Sequence, residues 1–201
     1  MSSLRDAALQ LTGVLESLGI AYAIGGSFAS SVHGIARPTQ DLDVIAAILP
    51  GHVPALVAAL DKAFYVDSEM MRQALRERRA FNVIHFKTGL KVDVFPVDSH
   101  LLGAEQIRRC RPAQSSILGG APASFPVISA EDTILVKLRW YRDGGESSER
   151  QWNDLRNILK IQSALDLEYL TGWAGKLEVS DLLTRLMDEN TKQGGAPDDH
   201  A

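Results

Sequence analysis

Asp41-Leu42-Asp43 places two acids two positions apart, immediately before the apolar pair Val44-Ile45. On a strand such residues share a face, with backbones separated by about 6.6–7 Å. Carboxylates so arranged can converge on hard cations: magnesium takes oxygen ligands in octahedral geometry, usually one or two carboxylates plus substrate phosphates. Two such ions about 3.5–4 Å apart would stabilise the attacking and leaving oxygens of phosphoryl or nucleotidyl transfer. The bland alternative is a solvated strand end or a helix cap. It is less comfortable here, because the chain runs on into apolar residues and adjacent like charges repel unless neutralised.

Two further pieces belong with this pair. Gly25-Gly26-Ser27 ends a short apolar run and begins a helical one. Glycines there let phosphate oxygens approach the backbone, the helix start offers free N–H groups, and Ser27 adds a hydroxyl donor. A plain tight turn would use the same glycines. Asp93 lies in Lys91-Val92-Asp93-Val94-Phe95, where burying an unpaired carboxylate between valines would be costly. A metal, or a proton taken from an attacking hydroxyl, would account for it; otherwise Asp93 faces solvent on an edge strand alongside Lys91.

The elements that must position these residues follow from periodicity. An apolar stripe from Leu4 to Leu18 predicts a helix over about 3–18, stopped by Gly19. Ile20–Ile24 and Asp41–Ile45 read as strands, with one or two helical turns from Phe28 to His33 between them. A helix follows over about 53–63, then a hairpin of Phe81–Phe86 and Lys91–Phe95 around Lys87-Thr88-Gly89-Leu90. Residues 103–126 predict a short basic helix and a Gly/Ala/Pro loop. Ser129 caps a strong helix reaching Gly144, and more helices are expected over about 149–165 and 180–188. The order gives an α+β (α/β) core over 1–127, a helical segment over 128–190 packed on it, and a disordered tail over 191–201.

The 201 residues suit one substantial domain with a helical appendage. A net charge of −4, with no basic excess in either half, excludes a protein that coats nucleic acid indiscriminately. No apolar run is long enough to span a bilayer, and the first residues carry an early acid, unlike a secretory signal; a cytoplasmic protein with no membrane partner is expected. Cys110 is the single cysteine, so an intrachain disulfide and a thiolate metal cluster are excluded. No Walker-type phosphate loop or Ser-His-Asp arrangement is present.

In order along the chain, Ile24-Gly25-Gly26-Ser27, Asp41-Leu42-Asp43 and Val92-Asp93 resemble the nucleotidyltransferase fold of the DNA polymerase β superfamily. That family's pattern is hG[GS], a helix, DxD on a strand and a third hD on a later strand. The string AIGGSFASSVHGIARPTQDLDVIA is similar to a small bacterial branch that includes AbiEii-type toxins of toxin–antitoxin systems. The resemblance implies a mixed β-sheet flanked by helices and followed by a helical C-terminal segment. It implies Gly25, Gly26 and Ser27 on the triphosphate, Asp41 and Asp43 on magnesium or manganese, and Asp93 on one metal or as base. Lys137, on the helix opened by Ser129, would face the nucleotide. The implied reaction moves a nucleoside monophosphate from a triphosphate such as ATP to an acceptor hydroxyl, toxin-like, on tRNA or protein. The alternatives are an adenylyltransferase for a small molecule of the aminoglycoside type, a catalytically silent nucleotide-binding module with a cognate antitoxin, and a kinase transferring the γ-phosphoryl group.

Other residues divide more evenly. Arg37 could contact phosphate or brace Asp41. Lys137 could instead snorkel beside its apolar stripe, and Arg150 with Asp154 could be an ordinary surface pair. The runs Arg72, Arg76, Arg78, Arg79 and Arg108, Arg109, Arg111 read first as solvated faces and second as RNA contacts.

Overall fold

β2, Asp41–Ala46, lies at the middle of the sheet because its apolar half is buried on both faces, with Val44 and Ala46 wholly inaccessible and Ile45 nearly so. This computed structural model describes residues 3–194, and seven strands join in one mixed sheet among the described residues. The others are β1 Tyr22–Ile24, β3 Phe64–Tyr65, β4 Phe81–His85, β5 Lys91–Pro96, β6 Arg111–Ser115 and β7 Ala123–Val127. Their order is β3-β4-β5-β2-β1-β7-β6. β2 runs antiparallel to β1 and parallel to β5, and the hairpin partner β4 is antiparallel to β5.

The helices of this part are α1 Leu4–Ser17, α2 Gly26–His33, α3 Val53–Leu60, α4 Ser68–Glu77 and α5 Gly103–Arg109. α1 starts with a capping box, the Ser3 hydroxyl accepting from Asp6 N–H while the Asp6 carboxylate accepts from Ser3 N–H. Leu11 and Leu15 of α1, Leu42 and Val44 of β2, and Val92 and Val94 of β5 belong to one buried cluster, with Phe28 meeting Phe125 edge-on at 5.7 Å. Apolar alternation along β2 and β5 thus sends one set of side chains to the core and leaves the other for polar residues.

By contacts the chain divides into two units, Met1–Val32 with Ala36–Ser129, and His33–Ile35 with Ala130–Ala201. The second contains α6 Ala130–Asp143, α7 Glu149–Ile161, α8 Leu167–Lys176 and α9 Ser180–Gly194. α6 packs on α7 and α8, and α9 on α7 and α8. Ile134, Leu135, Leu138, Leu155 and Ile158 are fully buried, as expected from helical stripes of this kind.

Several segments depart from the sequence expectations. Residues 111–127 form two paired strands where a loop was expected: β7 alternates buried and exposed residues, and its pairing carries the polar strand β6 as a sheet edge. Pro112 is tolerated there because an edge strand needs fewer ladder donors. The polar helix α4, the two-residue β3 and the helix α8 were not anticipated. The helix expected to reach 165 ends at Ile161, and α9 runs to Gly194, into the segment expected as a tail. The rest of that tail, 195–201, lies outside the described residues.

Candidate active site

Residues 41 and 43 of β2 pair in parallel register with residues 91 and 93 of β5, Asp41 opposite Lys91 and Asp43 opposite Asp93. Strand parity puts all four side chains on one face, because Leu42, Val44, Val92 and Val94 occupy the other and are buried. Asp41 is exposed and Asp43 half-buried, so the polar end of this face is open to water. β5 lies between β4 and β2, which removes the expectation that Asp93 could sit on an edge strand.

The glycine bend is tied to this face at Asp43. Gly25 N–H donates to the Asp43 carbonyl at 2.9 Å, continuing the β1–β2 ladder one step past Ile24. Gly26 then opens α2 at φ +57, a left-handed conformation that L side chains rarely adopt. A Cβ at Gly26 would overlap the Asp43 carboxylate and lie 2.9 Å from the Asp43 Cβ. Glycine is therefore required there twice, for its backbone angle and for the space that Asp43 fills. Within α2, Ala29 N–H donates to the Gly25 carbonyl at 3.0 Å and the Ser30 hydroxyl to the Gly26 carbonyl at 2.9 Å.

Arg37 belongs to the bend. Its Nη2 donates to Ser27 Oγ at 2.9 Å, while its backbone N–H donates to Ser31 Oγ and its carbonyl accepts from the same hydroxyl. The guanidinium is thereby held at the start of α2. Thr39, 6% exposed, donates to the Asp41 carbonyl at 3.0 Å and fixes the entry to β2.

Lys91 is the residue that motif reading passed over. Its Nζ lies 2.9 Å from Asp93 Oδ2, and the two side chains are 44% and 26% exposed. The hydrogen bond and charge of Asp93 hold the ammonium above the ordinary lysine range against the opposing effect of burial, with lesser help from Asp41 and Asp43. Its signal in the sequence was its place two residues before Asp93, which puts both on one face.

Hard carboxylate oxygens on a water-accessible face suit magnesium or manganese, and Asp41 with Asp43 supplies the one or two that such an ion usually takes. Among the described residues no three His, Cys, Asp or Glu side chains form a group able to hold a metal. The expected three-acid cluster is thus not preformed: Asp93 is engaged by Lys91 instead.

Lys137 is placed in the helical unit. It is 4% exposed and paired at 2.9 Å with Asp154, itself 8% exposed, so it does not snorkel and Asp154 is not part of a surface pair. Asp154 lies on the apolar side of α7, with Leu155 and Ile158, which makes a buried cation its natural partner. The arginine runs largely face acids: Arg72 and Arg76 meet Glu69, Arg79 meets Glu77, and Arg108 meets Glu105. No helix among the described residues is long and apolar enough to cross a membrane.

No family model matches the chain, and no curated protein matches it. Solved structures do. The antibiotic-resistance factor ANT(2'')-Ia is 14% identical, with a TM-score of 0.49, covering 93% of this chain and 94% of that one. The lincosamide antibiotic adenylyltransferase LnuA, in its lincomycin-bound structure, is 14% identical at a TM-score of 0.46, covering 77% and 96%. An antigenic nucleotidyltransferase-like protein from Paracoccidioides brasiliensis is 16% identical at a TM-score of 0.49, covering 92% of each chain. These are distant likenesses of fold, and the chemistry has to be argued from the residues above.

Proposed function

We propose that this protein is a divalent-cation-dependent nucleotidyltransferase, moving a nucleoside monophosphate from a nucleoside triphosphate to an acceptor hydroxyl. One observation carries the reading: Asp43 is bound through its backbone to the Gly25–Gly26 bend, with Asp41 beside it and Asp93 on the facing rung. A helix start and a set of hard oxygen donors therefore share one locus.

In this reading the free N–H groups opening α2, the Ser27 hydroxyl and the Arg37 guanidinium hold the triphosphate. Asp41 and Asp43 hold the magnesium or manganese ion, which supplies charge neutralisation on the phosphate oxygens. Asp93 accepts the proton of the acceptor hydroxyl. The acceptor oxygen bonds to the α-phosphorus, the bond from that phosphorus to the bridging oxygen breaks, and pyrophosphate leaves. The chain contributes positioning and fixed charge rather than a covalent intermediate. The similarity to AbiEii-type sequences makes tRNA or protein the first acceptors to try, with a cognate antitoxin as binding partner.

The test uses triphosphates labelled at the α or the γ phosphorus, incubated with the protein, magnesium and separate RNA, protein and aminoglycoside acceptor pools. Label arriving from the α position alone supports the proposal, and the labelled pool names the acceptor class. Label from γ alone makes the protein a kinase. No label from either, with nucleotide affinity unchanged in Asp41→Ala and Asp43→Ala, makes it a silent binder.

A further inference from the structure

We infer that the outer stretch of the carboxylate face, Tyr65, Ile84 and Phe86, is a stacking platform for the 3′ end of a single-stranded polynucleotide, whose terminal hydroxyl then lies toward Asp93. The inference rests on the transferase reading for the fate of that hydroxyl and narrows the acceptor class. Tyr65 pairs with Ile84, Ile84 with Lys91, and Lys91 with Asp41, so one row of facing residues crosses four strands from β3 to β2. Facing residues share a side of the sheet, which puts Tyr65 and Ile84 on the side of the acids. Phe86 joins them: its N–H donates to the Ala63 carbonyl at 2.9 Å, carrying the β3–β4 ladder one step past His85.

The two sides of these outer strands are unlike. Phe64, Val83 and His85 are buried on one, whereas Tyr65, Ile84 and Phe86 are 51%, 37% and 60% exposed on the other. Aromatic rings in view on an open sheet suit flat rings laid over them, as nucleobases are, and such stacking tolerates any base. β4 and β3 stand about 5 and 10 Å from β5, so a terminal sugar beside Asp93 leaves its base over these strands. Asn82, half-buried and opposite Asp93, offers an amide to the sugar hydroxyls. Phosphates need cations, and Lys62, in the turn before β3, and Lys87, next after Phe86, stand at the rim. Both are exposed, and among the described residues neither is in an ion pair. Asp61, in the same turn as Lys62, offsets one of them, and Lys91 is already held by Asp93, so the rim keeps one positive charge in excess. A second copy of this chain suits the patch less well, because an isologous contact would bring these same lysines toward each other.

The experiment measures binding apart from turnover. Fluorescence anisotropy follows 5′-labelled ribo- and deoxyribo-oligonucleotides of about eight nucleotides with the full-length protein. Tyr65→Ser and Phe86→Ser remove rings from exposed positions, and Tyr65→Phe and Phe86→Tyr keep them. The expected result is binding retained in the last two and weakened about 5–150-fold in each serine variant, the loss that one stacked base carries. Lys62→Gln with Lys87→Gln should lower the slope of log Kd on log salt by about 1.4. In the presence of magnesium and triphosphate, α-label should enter the oligonucleotide and be refused by one ending in a dideoxynucleotide. No binding by the wild type, or equal binding in the serine variants, overturns the inference. So does a wild-type dimer in sedimentation that Phe86→Ser disperses, because a second copy then covers the patch. Ring-dependent binding with α-label reaching only protein or aminoglycoside overturns it too and leaves the transferase reading standing. Ring-dependent binding with no α-label in any pool overturns the transferase reading and leaves the platform.

Discussion

Gly26→Ala separates the two demands made on that residue. At φ +57 an alanine costs about 1–2 kcal/mol relative to a right-handed conformation. Its Cβ would also overlap the Asp43 carboxylate. The carboxylate is the far end of a short side chain and can turn away, whereas the Asp43 Cβ at 2.9 Å can be relieved only by a shift of the backbone, a cost that adds to that of the left-handed angle. Stability should therefore fall by at least about 1–2 kcal/mol, a drop in Tm of at least about 2–8 °C for a chain of this size. Activity should fall far more, because a pre-placed charge is lost from the reacting centre; such losses run to about 10²–10³-fold. Thermal unfolding, Mn2+ uptake and transfer of α-label measure the three quantities on one preparation. Gly25→Ala is the steric comparison for stability: its Cβ would meet only the tips of Ile45 and Ile128, at 3.1 and 3.4 Å. A Gly26→Ala protein with wild-type ion uptake and turnover would refute the placement of Asp43 against the bend.

Two further outcomes concern the helical unit. Removing either partner of the buried Lys137–Asp154 pair should cost about 3–5 kcal/mol, while Lys137→Met with Asp154→Leu should recover most of it; losses that simply add in urea unfolding would show that the pair is not coupled. Glu189 accepts from Trp152 Nε1 and from Arg156 and Arg185, contacts that outweigh burial and hold its carboxyl down at about 2. A depressed carboxyl stabilises the fold above its ordinary value of 4.5, and that contribution disappears as pH falls toward 2. Wild type should accordingly lose more stability than Glu189→Gln across that interval, and parallel pH–stability curves would exclude the effect.

Where the chain alternates or repeats strongly, its sequence foretold its structure. β2 and β5 alternate buried and polar residues, and α1, α6 and α7 carry apolar stripes, so their existence and their inward faces could be read directly. α4 could not, because it buries only Met71 and Ala74 and shows its arginines more plainly than its apolar side. α8 is capped by Asp166, which accepts from Tyr169 N–H, yet it buries only Leu170 and Ala174 and contains two glycines, so its stripe is faint. β6 has no strand signal of its own and exists by pairing with β7. For the candidate site, parity alone put Asp41 with Asp43 and Lys91 with Asp93. Which of them face one another depends on the alignment of two strands distant in sequence, which local patterning does not encode. The facing of Asp41 with Lys91 and of Asp43 with Asp93 was hidden for that reason, and the buried state of Lys137 and Asp154 likewise needed the packing of α6 on α7.

The matched stepping of β2 and β5 has a bearing on how this protein could change. Sliding either strand by one position would carry Leu42 or Val92 out to water and drive the charges into oil. No gradual series of shifted registers connects the present arrangement to another one. Retuning must come from exchanging side chains on fixed rungs, with residue 91 among the few that can be varied without dismantling the scaffold.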